Sequence, residues 1–250
     1  MSDHGDWAKD CHKNKELIMG NNQMIGSIPN SVFGMLGDLM FKLRDDSITP
    51  EQLEKFLKKQ NPFQTPDEFV QQQIQKWQSF FKNRFDLDKD LSSIRIPNLP
   101  KKGKYRLIID LAEFTHNGLV KIMRKYFSVC SWTENLDSVM VDYSKRDKID
   151  HAVWVLDTVE ADEKLKNLSA NVLEKKKISC VTLKERLLDE FMFWDTNGNY
   201  LDVKNMTLCA GSRYSDGRVP HVDCHDGEVD VSRGNPDDAS DCSRGRAAVL

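Results

Sequence analysis

The stretch His221–Ser232 reads HVDCHDGEVDVS and contains Asp226-Gly227, a dipeptide that strongly favours a two-residue β-hairpin turn. Both central positions of a type I′ turn need positive φ, which Asp and Gly tolerate well. The sequence therefore predicts an antiparallel hairpin in a fixed register. The expected pairs are His225 with Glu228, Cys224 with Val229, Asp223 with Asp230, Val222 with Val231, and His221 with Ser232.

The two faces of this hairpin differ in chemistry, because successive side chains of a strand point to opposite sides. One face is apolar and is expected in the core: Val222, Cys224, Val229 and Val231. The other face is polar and is expected to be exposed: His221, Asp223, His225, Glu228, Asp230 and Ser232. The alternation thus predicts one buried face and one face that could meet a ligand.

The first residues of the hairpin have the side-chain types of a metal site. Cys224 points away from the histidines, which leaves His221, Asp223 and His225 on one face. Alternating histidines can hold zinc, and a carboxylate could complete three ligands with one open position. Isolated motifs of this kind often arise by chance. We therefore expect no metal and no cofactor, and keep a zinc site on these three residues as an alternative.

Several helix starts can be recognised from capping signals upstream of the hairpin. Thr182 and Glu185 form a capping box, and Gly198 ends the helix that follows. Thr49 and Thr65 each precede a proline at the first helical position. Apolar stripes continue from each of these starts, and a further helix is expected over residues 31–44.

Short apolar runs predict two buried strands, over Tyr105–Leu111 and Ala152–Leu156. A helix capped by Thr115 is expected between them, over His116–Phe127. Strands and helices mixed at irregular spacing indicate an α+β fold rather than a doubly wound sheet.

The composition along the chain indicates two domains. Residues 1–90 are expected to form a small helical region, and residues 91–104, with two prolines and a basic run, have the composition of a linker. Residues 105–250 then form the second domain.

The total charge and the N-terminal sequence limit the partners that we expect. The net charge of −3 offers no general attraction to nucleic acid or to a membrane surface. The N-terminus has charges where an export signal needs an apolar run, and no segment is long and apolar enough to span a membrane. We therefore expect no nucleic acid partner, no membrane span and, by default, a cytoplasmic location. The cysteines form no CxxC pair and are expected to be free thiols.

The last part of the chain differs in amino-acid composition from the lysine-rich part before it. After Lys204 there is no lysine, tryptophan or glutamine, and Glu228 is the single glutamate. This tail, LDVKNMTLCAGSRYSDGRVPHVDCHDGEVDVSRGNPDDASDCSRGRAAVL, and residues 151–198 before it resemble the variable proteins of diversity-generating retroelements. In those systems an error-prone reverse transcriptase replaces template adenines, and the copy overwrites the 3′ end of the target gene. The resemblance covers about the second half of the chain.

The resemblance implies a C-type-lectin-like domain over residues 105–250, with a hypervariable segment at about 209–250 that forms a ligand-binding surface. Codons of the AAC type, altered at their adenines, cannot give Lys, Glu, Gln, Met or Trp, which matches residues 209–250 apart from Glu228. By this interpretation the diversified residues are Tyr214, His221, Asp223, Cys224, His225, Asp230, Ser232, Arg233, Asn235, Asp238, Ser240, Asp241, Cys242 and Arg244.

These observations predict a non-enzymatic protein that binds a ligand, which we expect to be another protein. Tyr214 and Arg233 are of residue types that dominate interface hot spots. One alternative is an enzyme on the related sulfatase-modifying variant of the fold, which would need neighbouring catalytic cysteines from among Cys209, Cys224 and Cys242. A second alternative is the zinc site described above, and a third is an α+β domain with a solvated acidic tail.

Overall fold

The computed structural model describes residues 24–25, 28–58, 66–141 and 143–250. The chain divides into two compact units, Met1–Thr65 and Pro66–Leu250. The fold class is α+β, as the sequence predicts. None of the helices in the described part of the chain has the length and apolar character needed to cross a membrane.

The described residues of the first unit form a short two-stranded ladder and two helices. Their bounds are Met24–Ile25 (β1), Ile28–Pro29 (β2), Asn30–Arg44 (α1) and Pro50–Leu57 (α2). The helix predicted over residues 31–44 is therefore confirmed. The capping box of α2 also forms, because the Thr49 side chain accepts from the Gln52 amide while the Gln52 side chain accepts from the Thr49 amide. Thr65 lies outside the described residues.

The second unit begins with a long helix and continues with helices mixed among strands. The elements up to the last helix are Pro66–Phe85 (α3), Tyr105–Asp110 (β3), His116–Met123 (α4), Ser128–Ser131 (β4), Leu136–Val139 (α5), His151–Leu156 (β5), Ala170–Lys175 (α6) and Leu183–Asn197 (α7). The two strands predicted from apolar runs are β3 and β5, and they pair with each other in antiparallel fashion. Helix α4 starts at His116 with Thr115 as its N-cap, as predicted, but it ends at Met123 rather than at Phe127.

Four further strands, Met206–Leu208 (β6), Val219–His225 (β7), Glu228–Gly234 (β8) and Ser243–Gly245 (β9), complete the fold. They join β4 in a five-stranded sheet of order β4-β8-β7-β6-β9. The hairpin β7–β8 lies at its centre. Strand β4 is parallel to β8, and β9 is parallel to β6.

The hairpin has the register that the sequence predicts, from His225 opposite Glu228 to His221 opposite Ser232. Asp226 and Gly227 both have positive φ, 49° and 80°, as a type I′ turn requires. The four residues of the predicted apolar face are at most 3% exposed, and all belong to the main core: Val222, Cys224, Val229 and Val231.

Helix α7 follows its predicted bounds and lies deep in the second unit. The Thr182 capping box forms, with the Thr182 amide donating to Glu185 Oε2 at 2.7 Å, and Gly198 ends the helix at φ 65°. Leu187 and Phe191 of α7 are fully buried in the main core. The capping box at Thr182 and the Asp226-Gly227 turn are the strongest local signals in the sequence. The helix and the hairpin that they predict are both confirmed.

The unit boundary lies at residues 65/66 rather than at the linker predicted over residues 91–104. Helix α3 belongs to the second unit, where Trp77 Nε1 donates to the Leu107 carbonyl at 2.8 Å and the ring of Phe80 lies 5.0 Å from that of Phe191. Leu91 and Ile94, which lie in the segment predicted as a linker, are buried. Charged residues and prolines dominate the composition of this segment, so its two buried apolar residues could not be recognised from the composition.

A group of buried charges connects α7 to the C-terminal part of the chain. Asp202 Oδ2 lies 2.8 Å from Arg186 Nη2, and Asp202 Oδ1 lies 3.0 Å from Arg246 Nη2. Arg186 also pairs with Glu190 at 2.7 Å. All four side chains are completely buried. The Asp202 carbonyl accepts a bond from the Cys224 amide at 3.1 Å, so this cluster also contacts strand β7.

Further buried ionic contacts hold the other sides of α7. Arg106 of β3 makes a bidentate contact with Asp189, at 2.6 and 2.7 Å. Glu185 pairs with Arg146 at 2.6 Å and with His151 at 2.8 Å. Burial alone would raise the pKa of Glu185, but the His151 hydrogen bond and the Arg146 charge lower it to about 2. These charges are matched by partners, as buried charges must be.

We expect Asp202→Asn to lower the free energy of unfolding by about 3–5 kcal/mol, because it leaves buried arginine charge without its partner. Urea denaturation followed by tryptophan fluorescence measures this change. The matched control is Asp157→Asn, which removes a half-exposed aspartate 3.4 Å from Arg106 and should cost less than about 1 kcal/mol. Equal losses in the two variants would contradict a central role for the buried cluster.

Candidate functional site

The polar face of the hairpin is the first part of the candidate site, and we call it the display face. Its residues are His221, Asp223, His225, Glu228, Asp230 and Ser232. Strand β4 widens this surface, because Ser128 and Cys130 are exposed and pair in register with Glu228 and Asp230. Ser128 Oγ donates to Glu228 Oε2 at 2.5 Å. No local pattern predicts β4, because its pairing with β8 depends on residues about a hundred positions apart.

Near the turn, the display face carries a histidine–carboxylate pair. His225 Nε2 lies 2.8 Å from Asp223 Oδ2. The His225 side chain is 73% exposed, whereas Asp223 as a residue is only 8% exposed. The His225 side chain is therefore accessible to a ligand, and the largely buried Asp223 carboxylate holds its imidazole in place.

Farther from the turn, His221 and Asp230 are half-buried, and their surroundings shift their pKa values. Burial lowers the pKa of His221 and outweighs the opposite effects of Asp223 and Asp230. Burial also raises the pKa of Asp230, and the nearby charge of Asp223 adds to this rise. The display face therefore has carboxylates that repel one another and a histidine that resists protonation.

A groove with a volume of about 600 Å³ lies beside the open end of the hairpin. Its lining includes Asp216, Arg218, Arg233, Asn235, Pro236 and Asp238. The Arg233 guanidinium lies over the Trp132 ring, 3.7 Å from its centroid, and Nη1 of Arg233 is 2.9 Å from Asp216 Oδ2. An arginine oriented by both a ring and a carboxylate is a well-defined contact point for a ligand.

The loop between β8 and β9, residues 235–242, forms the third part of the candidate site. Five of the predicted residues are exposed there: Asn235, Asp238, Ser240, Asp241 and Cys242. Two hydrogen bonds from outside the tail hold the loop, from Asn171 Nδ2 to Asp237 and from Asn167 Nδ2 to Asp241, each at 2.7 Å. The Asn171 amide also donates to the Pro236 carbonyl at 3.0 Å.

Three of the fourteen predicted surface residues do not face solvent. Tyr214 is 1% exposed, Asp223 is 8% exposed and Cys224 is 3% exposed. Tyr214 packs edge-on against Trp132, with ring centroids 5.3 Å apart, and so cannot be the anchor that its residue type suggested. Cys224 follows the alternation of the strand, which points it into the core. Arg244 is nearly covered, at 12% side-chain exposure, and pairs with Glu163 at 2.6 Å.

Two properties of the described residues bear on the two enzyme alternatives, namely the grouping of possible metal ligands and the pKa values of the buried thiols. Within the described residues there is no group of three or more His, Cys, Asp or Glu side chains that could hold a metal ion. Cys209, Cys224 and Cys242 are free thiols. Burial raises the pKa of the Cys209 thiol and raises the pKa of the Cys224 thiol to about 11, so neither is activated as a nucleophile.

No protein-family model matches the chain, and comparisons with curated proteins and with solved structures find no match. The candidate site is therefore defined by its geometry alone. It consists of the display face, the Arg233 groove and the β8–β9 loop. Trp132, strand β4 and the groove residues Asp216, Arg218 and Pro236 belong to it although the sequence did not indicate them.

We expect the His221 imidazole to titrate below its ordinary pKa of 6.5, because burial disfavours the imidazolium form. NMR of the imidazole signals against pH measures this value. Asp230→Asn should lower it further, since the Asp230 charge opposes the decrease. Asp238→Asn, in the exposed loop, is the control and should leave it unchanged.

The lowered pKa of His221 also changes how the free energy of unfolding depends on pH. Below about pH 6.5 the unfolded chain binds a proton at His221 more readily than the folded protein, so this residue lowers stability as the pH falls. A pKa for His221 at or above 6.5 would contradict the burial argument.

Proposed function

We propose that the chain is a non-enzymatic ligand-binding protein whose C-terminal surface, at about residues 209–250, is diversified by a retroelement through mutagenic retrohoming. We further propose that residues 105–250 have a C-type-lectin-like fold. The ligand that we propose is a protein. The variable side chains would change from one version of the gene to the next, while the backbone that carries them stays constant.

One observation carries this proposal. The exposed residues between positions 209 and 249 lie on the polar face and turn of the hairpin and in the two loops that flank it, whereas the residues that hold this backbone are buried or come from other segments. Val222 and Val231 lie in the core beneath the display face, and Asn167 and Asn171 support the loop from outside the tail. Exposed side chains can be exchanged at little cost in stability, so such a surface tolerates massive substitution.

The burial of individual positions refines the set of residues that we propose to vary. Exposed or half-buried positions are His221, His225, Asp230, Ser232, Arg233, Asn235, Asp238, Ser240, Asp241, Cys242 and Arg244. Tyr214, Asp223 and Cys224 are excluded, because diversification there would disturb the core. The surface that we propose to vary therefore comprises fewer positions than the composition of the tail allows.

Arg233 is the anchor that the geometry favours for this version of the surface. It lies in the groove, stacked on Trp132 and paired with Asp216, so little side-chain freedom is lost on binding. Trp132 precedes the variable segment and would remain constant. A constant aromatic platform beneath a variable residue fits a site that must accept many ligands.

The proposal predicts that tolerance to substitution follows burial. Two three-position libraries with the same AAC-derived codon set test this, one at Asn235, Asp238 and Ser240, and one at Tyr214, Asp223 and Cys224. In the first, most members should fold, with stability changes within about 0.5 kcal/mol per position. In the second, most should lose about 3 kcal/mol or more and fail to fold. Protease resistance on a display platform measures both, and selection from the first library should yield binders of unrelated proteins.

The genomic neighbourhood provides the decisive control. We expect a near-copy of the 3′ coding segment beside a reverse transcriptase gene. The two copies should differ at adenines of the codons for exposed positions. Equal loss of folding in both libraries, or adenine differences concentrated in the codons of buried residues, would overturn the proposal.

A further inference from the structure

A pocket lies between helix α4 and the segment of residues 131–136, and we call it the α4 pocket. Its volume is about 370 Å³, which is within the range of roughly 300–1,000 Å³ that is typical of small-molecule sites. The helix and its C-cap residue contribute Asn117, Val120, Lys121 and Arg124. Residues at this spacing share one face of a helix, so α4 presents a single continuous wall to the pocket.

The α4 pocket has an apolar lining and two sides that are tied together. Val120, at 5% exposure, and Leu136, at 1%, provide the apolar surface. Asn117 Oδ1 accepts from the Leu136 amide at 2.8 Å, and Asn117 Nδ2 donates to Asn135 Oδ1 at 2.7 Å. The Asp137 carboxylate accepts from the Asn117 amide at 3.1 Å. Because these contacts hold the helix against the opposite segment, little ordering is required when a ligand binds.

Two cations of the helix face the α4 pocket without a carboxylate partner. Arg124 Nε donates to the Val129 carbonyl at 2.9 Å, which orients the guanidinium. Within the described residues, the two terminal nitrogens of Arg124 have no partner, and Lys121 forms no ion pair. A planar guanidinium with both terminal nitrogens available is suited to bind the two oxygens of a carboxylate.

The remaining polar groups of the lining limit the charge of a ligand. Ser131 Oγ is covered from water and has no hydrogen-bond partner among the described residues, so rotation about χ1 can turn it toward a ligand. Glu134 also lines the pocket. The lining therefore contains two cations and one carboxylate, and its net charge is +1.

We infer that the α4 pocket binds a small organic anion with one carboxylate and an apolar body. The carboxylate pairs with Arg124 and Lys121, and the apolar body contacts Val120 and Leu136. The net charge of +1 favours a monoanion over a dianionic phosphate, whose second charge Glu134 would repel.

The α4 pocket is separate from the display face. Ser131 and Cys130 are successive residues of β4, so their side chains point to opposite sides of the sheet. Cys130 is exposed beside the display face, whereas Ser131 lines the pocket. The inference therefore does not rest on the proposed function.

Benzoate is the probe that we choose, because it combines one carboxylate with an apolar ring. We expect benzoate to shift the backbone amide signals of Lys121, Ser131 and Leu136 in NMR spectra of the isotope-labelled full chain, with a dissociation constant of about 1 mM. Benzamide has the same shape but no charge, and it should bind about tenfold more weakly.

Substitutions in the lining test the role of each charge. Arg124→Met should weaken benzoate binding about tenfold, and Lys121→Met about threefold, because an exposed ammonium group contributes less than an oriented guanidinium. Glu134→Gln should strengthen binding about twofold, because it removes a repulsive charge. The matched control is Lys125→Met. Lys125 is exposed but does not line the pocket, so this variant should bind like the unchanged chain. The same spectra show that each variant is folded.

Four results would overturn the inference. Equal affinities for benzoate and benzamide would show a pocket that does not recognise charge. Equal weakening by Lys121→Met and Lys125→Met would show that benzoate responds to the general charge of the helix. Tighter binding of inorganic phosphate than of benzoate, at the same amides, would show that the ligand is a dianion. The fourth is the absence of any shift at the pocket amides when benzoate is far above the expected dissociation constant.

Discussion

The second unit depends on Asp202, a buried carboxylate between two buried arginines. Arg186 comes from the middle of α7, and Arg246 comes from the last residues of the chain. The backbone at Asp202 has positive φ, 53°, and its carbonyl accepts a bond from the central hairpin. Since an unpaired buried charge is strongly destabilising, helix, turn and C-terminus must reach their places together. This requirement makes the framework rigid and cooperative.

Such rigidity matters for the function that we propose. A surface whose side chains change from version to version needs a backbone that does not depend on them. In this chain the display face lies on a hairpin whose opposite face is packed in the core, and the loop after it is held by asparagines from other segments. The tail therefore contains two kinds of residue. Some of its residues form the framework, as Arg246 and Val222 do, and others face solvent.

The sequence by itself determined the elements whose signals are local. The Asp226-Gly227 turn fixed the hairpin register, and the capping box at Thr182 fixed the start of α7, because turn and cap preferences act over a few residues. Strand alternation also predicted that Cys224 points into the core, against the expectation from composition that it varies at the surface.

Only the tertiary structure decided which distant segments meet. It placed α3 in the core of the second unit, added β4 in parallel to β8 and buried Tyr214 against Trp132. It also buried the charges of Arg186, Asp202 and Arg246, which in a sequence are typical of a solvated surface. These outcomes depend on pairings between residues far apart in the chain, and such pairings leave no local pattern from which a single sequence could predict them.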